Sequence, residues 1–348
     1  MVKDVELDAS GVATISVWLT ISGCPMREDI VGRVTDAVSA VEGVRAVQVE
    51  LDVMSDEQRT ALKQQLHGAE KSVPFAKPGS LTRVYAITSG KGGVGKSSVT
   101  ANLAVAMAAN GVSVGLADID IYGHSIPRML GTTAPPTSVD GMFLPPIGHG
   151  VRFMSMLPFK PQGVTQPIAF RGPMLHRYVE SFLADVYWGD LDVLLLDLPP
   201  GTGDVAMSVA QLVPNAELVV VTTPQAAAAD VAVRAGMMAE LTHQHVFGVV
   251  ENMSGFPCPH CGEPIDLFGV GGGALVAEQL SAALGSSIPV LGRIPFDVQL
   301  REGGDEGLPL VLSNPAAAAA QAISSIAATM SQRQRGLVGM SLDISPKR

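Results

Sequence analysis

The sequence predicts an α/β protein: a mostly parallel sheet covered by helices on both faces, preceded by a small α/β unit. Three observations carry that reading. From residue 81 onward, short apolar runs ("TRVYAIT", "VSVGLA", "LDVLLLDL", "AELVVVTT", "HVFGVV") alternate with helix-length segments, and continuous apolar runs of this kind mark strands buried on both faces. The first of these runs leads through a glycine-rich loop straight into a helical pattern. The first 66 residues behave differently, with a period-two stretch, a helical stretch and a return to period two.

In that front part, "VATISVWLTIS" (12–22) reads as a half-buried strand. "REDIVGRVTDAVSAV" (27–41) reads as a helix with Ile30, Val34, Val38 and Val41 on one face, and "VRAVQVEL" (44–51) as a second strand. Ser55 followed by Gln58 forms a capping box that opens a further helix. "HGAEKSVPFAKPGS" (67–80) reads as a linker, because Pro74, Pro78, Gly79 and Ser80 resist regular structure. The expected division is therefore a small domain at 1–66, a linker at 67–80, a large domain at 81–336 and a tail at 337–348. Near the end, "NPAAAAAQAISSIAATMSQ" (314–332) reads as a helix with Asn314 as its cap and Pro315 at its first position.

Composition excludes several function classes. With 348 residues, 47% of them hydrophobic and 16% charged, the chain can bury a large core. Cys24, Cys258 and Cys261 are too few, and odd in number, for a disulfide framework, so a reducing, cytoplasmic setting is expected. No stretch approaches the roughly 18 apolar residues of a membrane-spanning helix, and no export signal opens the chain. Neither a membrane nor nucleic acid is expected as a partner, since a net charge of −10 repels phosphate backbones.

The glycine-rich loop is "SGKGGVGKSS" (89–98), in which Gly90, Gly95, Lys96 and Ser97 satisfy G-x-x-x-x-G-K-[ST]. Gly90, Lys91, Gly92, Gly93, Val94, Gly95, Lys96, Ser97 and Ser98 are the expected ATP-binding segment. Glycines let backbone N–H groups turn inward around phosphates, Lys96 reaches the β/γ-phosphates, and the Ser97 hydroxyl ligates Mg²⁺. The helix that follows at once, closed by Gly111, presents its positive N-terminus to the phosphates. Hydrolysis needs metal ligands and a group that orients water. Asp118 and Asp120 in "VGLADIDIYG" and Asp197 in "LLLDLPPGTGD" fall at strand ends beside this loop, with Asp197 suited to the Mg²⁺ shell. Asn252, at the end of another strand in "GVVENMSG", carries an amide that matches the donor and acceptor edge of adenine.

"GFPCPHCGEP" (255–264) holds the two remaining candidates, Cys258 and Cys261. A closed tetrahedral metal site wants four ligands, and this segment supplies two. His260, between them, reads as a spacer, because immediate neighbours seldom bind one ion together.

Together, "SGKGGVGKSS", "DIDIYGHSIP", "RGPMLHR", "DLPPGTGD", "TTPQ", "ENMSGFPCPHCG", "FGVGGG" and "GRIPFD" resemble the Mrp-type, or ApbC-type, iron–sulfur carrier ATPases within the MinD/ParA group of deviant P-loop proteins. The first 66 residues are similar to the small iron–sulfur assembly domain often fused in front of them. That resemblance implies a homodimer in which Lys91 acts across the interface, Asp120 positions the attacking water, Asp118 joins the metal shell and the Gly201 N–H senses the γ-phosphate. Lys91, Lys96 and Asp120 are then the catalytic set for slow Mg²⁺-dependent ATP hydrolysis. It further implies that Cys258 and Cys261 of two protomers bridge a [4Fe–4S] cluster, and that the partners are a cluster assembly scaffold and apo iron–sulfur proteins.

The sequence departs from that family at Ser98, where threonine is usual, and at His124, where proline is usual. The front domain opens at "MVKDVELDASG" without the first helix and Asp-Pro-Glu segment of its relatives, which implies a trimmed domain or an upstream start. Cys24 in "SGCP" is a candidate functional thiol of that domain. Three other readings use the same residues: a thiol oxidoreductase, which needs its first cysteine at a helix N-terminus; a structural zinc across a dimer; and a partition or cell-division-positioning ATPase. The last calls for a basic amphipathic C-terminal helix, of which only "RQR" (333–335) gives a hint.

Overall fold

A computed structural model describes residues 2–332 apart from 9, 20–26, 42, 56, 59–71, 78, 122, 124, 140–141, 157–171 and 259. It divides into two units, Met1–Lys71 and Ser72–Arg348. In the first, β1 (Val2–Leu7), β2 (Val12–Leu19) and β3 (Ala46–Val53) form a sheet in that order, with α1 (Arg27–Ser39) between β2 and β3. β2 runs antiparallel to β1 and parallel to β3. Its alternation buries Ala13, Ile15, Val17 and Leu19, and Ile30, Val34 and Val38 of α1 pack on the first three. Val41 departs from the expected helical face. The helix stops at Ser39, and Val41 lies 56% exposed in the turn before Gly43, whose φ of +96° no helix accommodates. The capping box is present: Gln58 N–H donates to Ser55 Oγ at 3.2 Å and Ser55 N–H to Gln58 Oε1 at 3.0 Å. The body of the helix it opens, and Cys24, lie outside the described residues.

The second unit follows the expected alternation. Its elements are β4 (Arg83–Ser89), α2 (Lys96–Ala109), β5 (Val114–Asp118), α3 (Ile126–Met129), β6 (Thr137–Val139), β7 (Met142–Leu144), β8 (Ile147–Gly148), β9 (Val151–Met154), α4 (Gly172–Ala184), β10 (Val193–Asp197), α5 (Asp204–Leu212), β11 (Glu217–Thr222), α6 (Ala226–Gly236), α7 (Met238–Thr242), β12 (Val246–Asn252), β13 (Phe256–Pro257), β14 (Pro264–Ile265), α8 (Gly272–Leu284), β15 (Val290–Ile294), α9 (Val298–Glu306), α10 (Leu310–Ser313) and α11 (Ala318–Ser331). Among the described residues the main sheet has eight strands in the order β15-β12-β11-β4-β10-β5-β9-β8. All its pairings are parallel except β8 with β9.

Both faces of this sheet are covered, which is why its strands read as unbroken apolar runs. Tyr85, Ile87, Leu116, Leu195 and Val219 pack with α2 and α11 on one side. Val84, Ala86, Ala117, Leu194 and Leu196 pack with α4 and α5 on the other, and α6 and α8 extend that second layer over β11 and β12. From β4 the chain crosses to β5 on one side, while β11 lies on its other side. The loop after β4 therefore opens where strand order reverses, the place at which open α/β sheets bind ligands.

Two expectations shift. The proline-bearing stretch is not spacer throughout: Pro74–Ala76 makes one 3₁₀ turn, Val73 and Phe75 enter the core beside Val84 and Ala86, and Asn215 Nδ2 donates to the Phe75 carbonyl at 3.0 Å. Two apolar side chains in "SVPFA" outweigh the prolines around them. The last helix starts at Ala318, not Pro315. Asn314 instead ends α10, and its amide donates to Gln299 Oε1 at 3.0 Å. The tail from 333 onward lies outside the described residues.

Candidate functional site: a nucleotide cavity and a cysteine hairpin

The glycine loop between β4 and α2 is shaped by two close approaches. A side chain at Gly90 would run into the backbone of Val231 and Ala232 in α6, and one at Gly95 would strike the Asn252 amide. Gly95 also has a φ of +79° at the cap of α2, a conformation that glycine adopts without strain. The loop lines a cavity of about 240 Å³ together with Asp120, Ser125, Met129 and Pro200. A second cavity of about 350 Å³ shares Gly95, Ser98, Ser125 and Met129 with the first and continues between Asn252, Met253, Phe296 and α9. A polar cradle opening into a more apolar chamber suits phosphates followed by a base.

Beneath the cradle sits a buried ion pair. Lys96 Nζ lies 2.7 Å from Asp197 Oδ2, with the two side chains 6% and 0% exposed. Asp197 also accepts from Ser97 Oγ at 2.6 Å and from Thr100 Oγ1 at 2.8 Å. On the adjacent strand, Asp118 is buried and takes one hydrogen bond, from Ser155 Oγ at 3.0 Å, while its Oδ1 has no partner. Burial, and then the neighbouring Asp197 carboxylate, push the Asp118 carboxyl well above the usual carboxylate range. An orphaned carboxylate oxygen beside a serine hydroxyl and a second aspartate is a donor set for a hard divalent cation, and Mg²⁺ is commonly held by one or two carboxylates plus substrate phosphates. Asp118 and Asp197, with the Ser97 hydroxyl held against Asp197 at 2.6 Å, fit that ion.

The remaining expected residues fall as follows. Asp120 borders the phosphate cavity and accepts from the Gly123 N–H at 2.9 Å. Lys91 Nζ donates to Gln225 Oε1, at the cap of α6, at 3.0 Å. The Gly201 N–H donates to the Ser89 carbonyl at 2.8 Å, so sensing a phosphate would require that bond to be exchanged. Asn252 gives one amide N–H to the Val94 carbonyl at 2.9 Å and borders the apolar chamber. It ties the loop to β12 as well as facing the expected base site.

Cys258 and Cys261 stand on a small hairpin. β13 and β14 pair Phe256 with Ile265 and Pro257 with Pro264. The turn is closed by the Cys258 N–H donating to the Glu263 carbonyl and the Gly262 N–H donating to the Cys258 carbonyl, both at 2.8 Å. Hydrogen bonds from the backbone N–H of Cys261, then that of His260, and then from the Cys261 thiol hold the Cys258 thiol below its usual range. Cys258 follows a short strand and not the start of a helix, so the arrangement that a thiol oxidoreductase of this motif uses is not present at this hairpin. Cys261 and His260 are exposed, as are Ile265, Leu267 and Val270 just beyond. Among the described residues, no three His, Cys, Asp or Glu side chains converge on a metal site, and the hairpin carries two free thiols.

Sequence reasoning missed three side chains. Thr100 lies one turn after Lys96, a spacing that puts both on one helix face. Glu251, one residue before Asn252, is 1% exposed and accepts from the Gly273 N–H at 2.6 Å and from Ser254 Oγ at 2.7 Å, fastening α8 to the start of the hairpin. Phe296 lies at the chamber wall in "GRIPFD", a stretch singled out without a role.

A parallel sheet with a G-x-x-x-x-G-K-S loop, a buried lysine–aspartate pair and a two-part cavity at the strand-order reversal defines a P-loop NTPase. The family model described as NUBPL iron-transfer P-loop NTPase matches residues 80–331, and an iron–sulfur cluster assembly protein model matches residues 1–51. The chain belongs to that iron-transfer P-loop NTPase family. It is 60% identical over 350 residues to an iron–sulfur cluster carrier protein of Mycobacterium tuberculosis, covering 100% of this chain and 91% of the relative. It is 43% identical over 332 residues to one of Deinococcus radiodurans, covering 95% and 87%. Among solved structures, a nucleotide-binding protein of Archaeoglobus fulgidus in complex with ADP superposes with a TM-score of 0.54 at 38% identity, covering 65% of this chain and 86% of that one. The septum site-determining protein MinD of Pyrococcus horikoshii, complexed with Mg-ADP, gives 0.53 at 24% identity over 74% and 98%, a likeness of fold. Among the described residues, no helix is long and apolar enough to cross a membrane.

Proposed function

We propose that the protein is an ATP-hydrolysing iron–sulfur cluster carrier of the cytoplasm, which holds a [4Fe–4S] cluster between two protomers and passes it to apo-proteins. The observation that carries this reading is the half-site: two free thiols three positions apart on a surface hairpin, beside an apolar rim of Ile265, Leu267 and Val270. A two-fold axis turns two such hairpins into four thiolates, and cargo held at an interface can be handed on. The names of the relatives, iron–sulfur cluster carrier proteins, support the same cargo. In this reading the 1–66 domain serves cluster assembly, a scaffold loads the dimer, and neither nucleic acid nor membrane takes part.

Within the nucleotide site, Gly90 to Ser98 cradle Mg-ATP, with Lys96 on the phosphates. Ser97, Asp118 and Asp197 hold Mg²⁺, Asp120 orients water, and Asn252 meets the adenine. Lys91 reaches the partner's nucleotide after leaving Gln225. Lys91→Ala should then lower hydrolysis by about 10²–10³-fold, the usual effect of removing a single transition-state donor, while ADP affinity measured by calorimetry stays within about threefold. An unchanged turnover rate would remove Lys91 from catalysis.

Iron and acid-labile sulfide counted after anaerobic reconstitution test the cargo. About four of each per dimer is the expected result. Zinc retained in place of iron would favour a structural site on the same four thiolates.

A further inference from the structure

Phe296 belongs to both halves of the site. Its ring walls the apolar chamber with Asn252 and Met253. The same ring meets Phe256 edge-on, with centroids 5.6 Å apart and planes at 76°, and Phe268 at 6.1 Å. Phe256 is the first paired residue of the hairpin, two positions before Cys258, and Phe268 follows the hairpin's second strand. The hairpin's first strand and the segment that follows its second therefore rest on one ring. The backbone repeats the link: Ser254 N–H donates to the Ile294 carbonyl at 2.9 Å and Phe296 N–H to the Gly255 carbonyl at 2.8 Å. Between them Met253 has a φ of +59°, so the chain turns sharply from the chamber into the hairpin within a few residues.

We propose that Phe296 is a positioning residue that couples occupancy of the base chamber to the geometry of the Cys258–Cys261 hairpin. A base entering the chamber meets one side of the ring, and any tilt it imposes is carried by edge contact to Phe256 and Phe268. Packed aromatic contacts hold a small number of discrete arrangements and do not deform continuously, so the two thiols are re-aimed together. By linkage, metal on the thiols must alter nucleotide affinity by the same factor. This inference rests on the proposed reading that the hairpin binds metal.

The test uses Co²⁺ as an anaerobic probe of the two cysteines in the full chain, since its thiolate charge-transfer band reports both binding and ligand geometry. Titrations are run with and without saturating Mg-ADP. In the parent protein, nucleotide should shift Co²⁺ affinity by about fivefold or more, within the usual range of coupling between sites, and change the band. In Phe296→Ala, nucleotide binds more weakly but, brought to saturation, should shift Co²⁺ affinity by less than about twofold, and Phe296→Tyr should restore the shift. Phe256→Leu breaks the ring contact from the hairpin side without touching the chamber and should uncouple in the same way, which covers the case in which Phe296→Ala does not fold. Coupling that persists in Phe256→Leu, or that is absent from the parent protein, overturns the inference. A Co²⁺–thiolate charge-transfer band that survives Cys258→Ser with Cys261→Ser would instead remove the hairpin as a metal site, and with it the function proposed above.

Discussion

Replacing Lys96 with methionine is expected to abolish nucleotide binding and to cost about 3–5 kcal/mol of stability, the range for breaking a buried ion pair from one side. Asp197 is fully buried and depends on the Lys96 ammonium at 2.7 Å. Without it, the carboxylate keeps only the hydroxyl donors of Ser97 and Thr100. The neighbouring Asp118 carboxyl offers no compensating positive charge, since burial and the Asp197 charge push it well above the usual carboxylate range. Urea midpoints, with calorimetry using ADP, check both statements. A loss below about 1 kcal/mol would mean that the pair contributes little net energy and that the lysine is retained for phosphate alone.

Serine at both Cys258 and Cys261 is expected to remove the iron entirely while leaving the folding transition, and ADP binding compared between metal-free proteins, unchanged. The hairpin is closed by backbone hydrogen bonds from Cys258 and Gly262, and serine keeps every one of them, so the change falls on the ligands. Each single substitution should be nearly as damaging, because a dimer then keeps two thiolates of four. Iron content by colorimetry and the visible absorption of reconstituted samples give the result. Iron retained by the double variant would move the cargo away from the hairpin.

Much of this architecture was legible in the sequence because its parallel strands are buried on both faces, and such strands announce themselves as apolar runs. Val84 and Tyr85 are adjacent yet face opposite helical layers. The phosphate loop was legible for a related reason: its chemistry depends on glycine, lysine and serine at fixed spacing, and β4 and α2 flank it in sequence as in space. Legibility failed where long-range packing decided the outcome. Nothing local says that Phe75 is 4% exposed in a proline-rich stretch. Glu251 and Phe296 gain their roles from neighbours brought together by β12 and β15, and no spacing rule connects them. The Lys91–Gln225 contact spans 134 positions and is equally invisible to pattern.

The burial of Val73 and Phe75 bears on how such chains recombine. Composition would let an exchange of modules fall anywhere in the stretch 67–80. The folded chain admits fewer junctions, because any graft that carries those two side chains away with the front module takes part of the other module's interior along with it. The seam between these domains is thus fixed by what each must keep to stay filled, a few residues earlier than where the strand-rich pattern begins.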